Sequence, residues 1–119
     1  MASQLNTNTA MGNNMQKVKV VVFVPESHAD LIRKVIGENG AGEIGNYSFC
    51  SFSVKGIGRF KPENNANPAI GETGKLESVL EERIEFVCDR SLVKDIVALI
   101  KRNHPYEEVA LDVYPLEEI

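Results

Sequence analysis

The sequence is poor in the residues that carry the commonest site chemistries. Of its 119 residues only two are cysteine and two are histidine. Two thiols, Cys50 and Cys88, are too few for a disulfide framework or a four-thiolate zinc site. In a reducing compartment both are expected to be free. No apolar run approaches the roughly 20 residues that a membrane helix needs. No basic stretch followed by an apolar one opens the chain, so no secretory signal is read and a cytoplasmic location is expected. Basic residues are in deficit as well: 13 Lys+Arg against 17 Asp+Glu leave a net charge of −4. That balance argues against a nucleic-acid or anionic-membrane surface, both of which need positive charge. What is present, 43% hydrophobic and 25% charged residues, is the ordinary composition of one folded domain.

Residues 1–16 are uncharged and without period, and are expected to form a disordered tail, leaving 17–119 as a single domain. Lys17–Pro25 reads KVKVVVFVP, apolar on both faces, the pattern of a central strand covered on two sides. Ala29, Ile32, Val35 and Ile36 recur at helical spacing after a capping Ser27, and Asn39-Gly40 is a helix stop. Tyr47–Phe60 alternates, with Cys50, Phe52 and Val54 on one face and Tyr47 and Phe49 on the other; Gly56 and Gly58 suggest a bulge near its end. Residues 61–74 form a long polar loop with two prolines and two glycines, a length that is often functional or mobile. A second long strand follows over Lys75–Asp89, with Ile84, Phe86 and Cys88 inward. Asp89 or Ser91 then caps a helix over Leu92–Asn103, and Val109, Leu111 and Val113 alternate in a last strand.

The order βαββαβ predicts an α+β, ferredoxin-like domain: a four-stranded antiparallel sheet with both helices on one face. The other face is expected to show Val21, Phe23, Tyr47 and Phe49 to water. Such a patch marks an interaction surface, so a homo-oligomer packing open sheet faces together is expected. The same topology gathers the 61–74 loop and the segment His104–Glu108 at one end, called the top, and residues 40–46 at the other.

Gly40-Ala41-Gly42-Glu43-Ile44-Gly45 matches G-x-G-x-x-G literally. A helix precedes it and a strand follows, the reverse of the dinucleotide-binding context, so a helix stop and tight turn is the better reading. His104-Pro105-Tyr106-Glu107-Glu108 offers an imidazole and two carboxylates to a metal or a small polar ligand. The same residues also suit a helix C-terminus, with Pro stopping the helix and Tyr packing. The two histidines, His28 and His104, have no close ligand spacing between them, and Cys50 and Cys88 read as inert inward thiols. Glu77, Glu81, Glu82, Glu107, Glu108, Glu117 and Glu118 read by default as solvated charge.

An ordered series of short motifs then narrows the family. It runs Gly45-Asn46-Tyr47-Ser48, Cys50-Ser51-Phe52, Phe60-Lys61-Pro62, Asn67-Pro68, Ile70-Gly71, Gly74 with Glu77, Arg83-Ile84-Glu85, and His104-Pro105-Tyr106-Glu107-Glu108-Val109-Ala110 with Asp112 and Tyr114. Over about residues 17–117 this resembles the PII/CutA-like domain inserted in YqfO-type proteins, the di-metal family named as type-2 homologues of GTP cyclohydrolase I. The resemblance implies a PII/CutA-type ferredoxin-like fold and assembly as a homotrimer through the sheet. It also implies that the family's di-metal ligands belong to other domains, so cyclohydrolase or hydrolase activity is not expected of these residues. Phe49 stands where many such domains have His before the Cys, which lowers the expectation of a metal near Cys50.

These readings converge on a non-enzymatic oligomeric module that binds a small ligand or partner in a regulatory or assembly role. Asn67, Pro68, Gly71, Gly74, His104, Tyr106, Glu107 and Glu108 are the expected ligand-binding residues. Gly56, Gly58, Gly71 and Gly74 are expected to let backbone approach the ligand closely. The first alternative is a CutA-like protein binding a divalent metal through His104, Glu107 and Glu108. The second is an enzyme with an intersubunit active site.

Overall fold

The computed structural model describes residues 16–119; the expected tail, apart from Gln16, lies outside the described residues. Strand β1 (Lys17–Pro25) leads into helix α1 (Glu26–Glu38). Strands β2 (Phe52–Phe60) and β3 (Glu77–Asp89) form a long hairpin. A 3-10 turn at Arg90–Leu92 enters helix α2 (Val93–Asn103), and strand β4 (Leu111–Pro115) ends the domain. The sheet order is β2-β3-β1-β4 with every neighbouring pair antiparallel, the ferredoxin-like arrangement.

The core forms on the helix-facing side of the sheet. Val18, Val20, Val22 and Val24 from β1 and Ile84, Phe86 and Cys88 from β3 meet Ala29, Ile32 and Ile36 of α1 and Ile96 and Ile100 of α2. These helix positions lie three or four residues apart, so each helix turns one apolar stripe onto the sheet. Neither helix start uses the expected side-chain cap. Helix α1 begins at Glu26, one residue before Ser27, directly after Pro25. Ser27 Oγ lies instead 2.7 Å from His28 Nδ1. Glu26 in the first turn meets the positive end of the helix dipole. Asp89 is drawn away by Lys17, 2.6 Å distant, and Ser91 lies inside the 3-10 turn.

The second strand departs from expectation in extent and phase. It starts at Phe52, not Tyr47. Before it, the turn after α1 takes the place that strand residues were expected to fill. Gly42 N donates to Val87 O (2.7 Å) and Cys50 N donates to Gly42 O (2.8 Å). A side chain on Gly42 would run into the Cys50 carbonyl, and Gly40, Gly42 and Gly45 all have positive φ. The glycine run is thus a docked turn, as its flanks indicated. Cys50 sits in that approach, partly exposed, and does not lie opposite the buried Cys88, whose thiol pKa is pushed up by burial.

The pairing register of β2 with β3 also reverses the expected faces. Register pairs Phe52 with Glu85 and Val54 with Arg83, which puts both apolar side chains on the open face. The helix-facing positions are the polar Ser53 and Lys55. They meet polar groups of α1, Arg33 Nη1 donating to Ser53 Oγ at 3.0 Å and Glu26 lying 3.7 Å from Lys55 Nζ. A one-residue difference in phase moves a whole strand's side chains between faces.

The open face therefore differs from the one expected. Val21 is only 1% exposed, a small side chain flanked in register by Glu85 and Asp112. Tyr47 is off the sheet, in a turn bridged to Ile44. Phe49, at φ 59, lies against Gly37 of α1, where an added Cβ would meet its ring. Phe23 alone of the four keeps its expected place, half-buried under the Arg83 guanidinium 6.0 Å from its ring centre. The exposed apolar groups there are Phe52 (65%), Val54 (50%) and Tyr114 (47%).

Candidate functional site

The polar loop after β2 is a closed excursion. Gly74 N donates to Pro62 O across its neck (2.7 Å), and Gly71 and Gly74 take the positive φ values that the reversal needs. The second element is the chain leaving α2. His104 terminates the helix in extended backbone geometry and is 6% exposed. Its Nε2 donates to the Phe23 carbonyl of β1 (2.7 Å), and its Nδ1 accepts from Tyr106 N (3.1 Å). The ring is thus a neutral strut fixing residues 104–106 to the top of the sheet. Tyr106 packs edge-on against it, with ring centres 4.9 Å apart. Asn67 N donates to Glu107 Oε2 (2.6 Å), which ties the loop to this segment.

Between these two elements and the upper sheet lies a cavity of about 370 Å³. Its walls are mainly apolar: Phe23, Phe60, Pro62, Ala66, Pro68 and Ile70. The lining also includes Glu81 of β3, only 8% exposed. Tyr106 Oη donates to Glu81 Oε2 (2.9 Å). Burial, then the hydrogen bond to this carboxylate, push the Tyr106 phenol well above its ordinary pKa, so it remains a donor. A side chain on Gly58 would occupy the position of Glu81 Oε1, so only glycine there leaves the carboxylate room.

Of the expected ligand-binding residues, Pro68, Tyr106, Glu107 and Glu108 line this cavity. Asn67 braces it through its backbone, Gly74 closes the loop neck, and Gly71 packs beside Glu77 at the loop base. His104 stands behind the wall. With both ring nitrogens given to backbone groups it is not presented to a metal, which separates it from Glu107 and Glu108 in the metal reading. Among the described residues no group of three or more His, Cys, Asp and Glu side chains is arranged to hold a metal ion. The sequence reading missed Glu81, Phe60 and Phe23 as wall residues. From sequence alone Glu81 reads as solvated charge; the signal that marks it is the hairpin register, which sets glycines 56 and 58 of β2 beside it.

Burial lowers the pKa of His104 below 6.5, the largest effect, opposed by its bond to the Phe23 carbonyl. The unfolded chain takes up this proton near the ordinary value and the folded chain resists it. The stability due to the neutral ring is therefore complete above about pH 6.5 and is lost as pH falls from there toward the folded pKa. Urea unfolding at about pH 7.5, 6.5 and 5.5 is expected to show that decline, and a His104→Gln variant is expected to flatten it.

No protein-family model matches the chain. It is 51% identical over 98 residues to the GTP cyclohydrolase 1 type 2 homolog of Halalkalibacterium halodurans, covering 82% of this chain and 26% of that protein. It is 48% identical over 100 residues to the same-named protein of Bacillus subtilis, covering 84% and 27%. The chain thus spans about a quarter of the length of these curated relatives. Among solved structures it superimposes on a Bacillus cereus protein related to NIF3 with a TM-score of 0.76 at 47% identity, over 87% of this chain and 26% of that one. The periplasmic divalent cation tolerance protein CutA of Archaeoglobus fulgidus shares the fold over 86% of this chain and 85% of its own, with a TM-score of 0.63 at 16% identity.

Proposed function

We propose that this chain, homologous to a domain-sized quarter of the GTP cyclohydrolase 1 type 2 homologues, is a self-associating module that binds a small ligand and performs no chemistry on it. The observation that carries the reading is the top-end cavity. Its walls are apolar and its polar groups few, the usual construction of a small-molecule site. Nucleophilic catalysis would need a nucleophile with a base in reach. The histidine beside the cavity has no nitrogen to spare, and neither cysteine lines the cavity. A regulatory or assembly role follows from binding without turnover.

Self-association is supported by Phe52, Val54 and Tyr114, which together give the open sheet face exposed apolar area beside a charged centre of Lys19, Arg83 and Glu85. A homotrimer is the assembly we propose. Native mass spectrometry of the protein purified without added metal is expected to give a trimer, and Phe52→Glu is expected to shift it toward monomer. Extra mass of an organic ligand on the trimer supports both halves of the reading. A wild-type protein that stays monomeric at micromolar concentration overturns the self-association, and a bound metal mass gives first place to a divalent-cation role.

A further inference from the structure

We propose that the cavity selects an organic cation, an ammonium group carried on a small apolar body, with its charge seated against Glu81. This rests on the ligand-binding reading above and adds the class of ligand.

Glu81 is the least exposed polar group of the cavity lining, more than nine-tenths buried. Its Oε2 accepts from Tyr106, while its Oε1 has no hydrogen-bond partner among the described residues. A buried carboxylate that is half satisfied is costly, and a donor carried in by the ligand completes it. None of the nearby basic groups is paired with Glu81, Arg59 of the cavity lining included. Arg83, two residues along β3, turns its Nε to Glu85 at 3.0 Å, and Lys61 lies 3.8 Å from Glu63.

The rest of the lining has the same preference. Phe60 and Tyr106 stand at 58° with ring centres 5.9 Å apart, and Phe23, one face of which lies under the Arg83 guanidinium, supplies a third ring. Aromatic faces beside a carboxylate attract ammonium groups through their quadrupoles. The lining holds Glu63, Glu81, Glu107 and Glu108 against Arg59 and Lys61, an acidic excess that repels phosphate and carboxylate ligands. A volume of about 370 Å³ suits a small body, at the lower end of ligand-pocket sizes. Among the described residues no three His, Cys, Asp or Glu side chains converge as a metal's donor set.

The test is an amide-shift titration by NMR on the full chain with three probes that share one ring: benzylammonium, benzyl alcohol and benzoate. Benzylammonium is expected to shift the amides of Gly58, Phe60 and Glu107 saturably. The alcohol is expected to bind at least about tenfold more weakly and benzoate not at all. Glu81→Gln is expected to weaken benzylammonium at least about tenfold and the alcohol by clearly less, because only the ammonium loses an ion pair as well as a hydrogen bond. The wild-type contrast among probes stands whether or not that variant folds. If the alcohol or benzoate shifts these amides as strongly as the ammonium does, the cavity binds ligands without selecting cations, and only this inference falls. If benzylammonium shifts scatter over the acidic surface without saturating, the inference falls too. If no probe reaches the cavity amides, the small-ligand reading falls with it.

Discussion

His104→Ala is expected to lower folding stability by about 2–4 kcal/mol and to loosen the cavity with it. The ring makes two hydrogen bonds, to Phe23 O and from Tyr106 N, each worth about 1 kcal/mol net. Its removal also leaves a void in a position that is 6% exposed, and incomplete collapse around such voids adds to the loss. The functional part of the effect travels through Tyr106. Without the imidazole beneath it, the Tyr106 backbone loses its anchor, and the phenol no longer holds Glu81 Oε2 in place. Urea denaturation measures the first effect and protection of the Tyr106 amide from hydrogen exchange measures the second. A loss under about 1 kcal/mol with Tyr106 still protected would show that the ring is not the strut described here.

Ile84→Ala is expected to cost about 3–4 kcal/mol, among the largest losses from a single apolar truncation in this domain. Ile84 is fully buried on the middle of β3, paired in register with Val22 of β1 and Ser53 of β2, and it belongs to the cluster that both helices close. The side chains around it are β-branched valines and isoleucines held in strands and helices, with little freedom to fill the space. The urea midpoint is expected to fall with an unchanged slope, the mark of lost packing in a cooperative fold. A loss under about 1.5 kcal/mol would mean that the helices settle onto the sheet after truncation. The same variant leaves Glu81 and Tyr106 untouched, so cavity binding in its folded fraction is expected to be unchanged.

How much of this was legible depended on whether a segment's own pattern decided its place. The run KVKVVVFVP admits only a central strand, and the structure has it to the residue. The helix stripes and the antiparallel order followed from spacing and chain length in the same way. The phase of β2 did not, because its apolar residues stand on the face away from the helices. What decides it is Arg33 and Glu26 of α1, which offer polar partners to Ser53 and Lys55. The site was half legible. Pro68, Tyr106, Glu107 and Glu108 announced themselves as an unusual cluster in sequence. Glu81 did not, since it sits among other acids in a strand, and its burial comes from the Tyr106 hydroxyl and from a glycine on the neighbouring strand. Charge in a strand reads as solvent-facing until a cross-strand partner is known.

The two ends of the folded core meet at one pole. Leu116 N donates to Lys17 O at 3.2 Å, just where β1 begins and β4 ends, while the cavity lies at the far end of β1. Nine residues of strand separate these poles, about 25–30 Å. Entry and exit side by side make a narrow stalk on which the domain can be grafted into a host chain without stretching the host. Carried in that way, the cavity stands a strand's length from the junction, and anything seated in it is held at that distance from the chain that bears it.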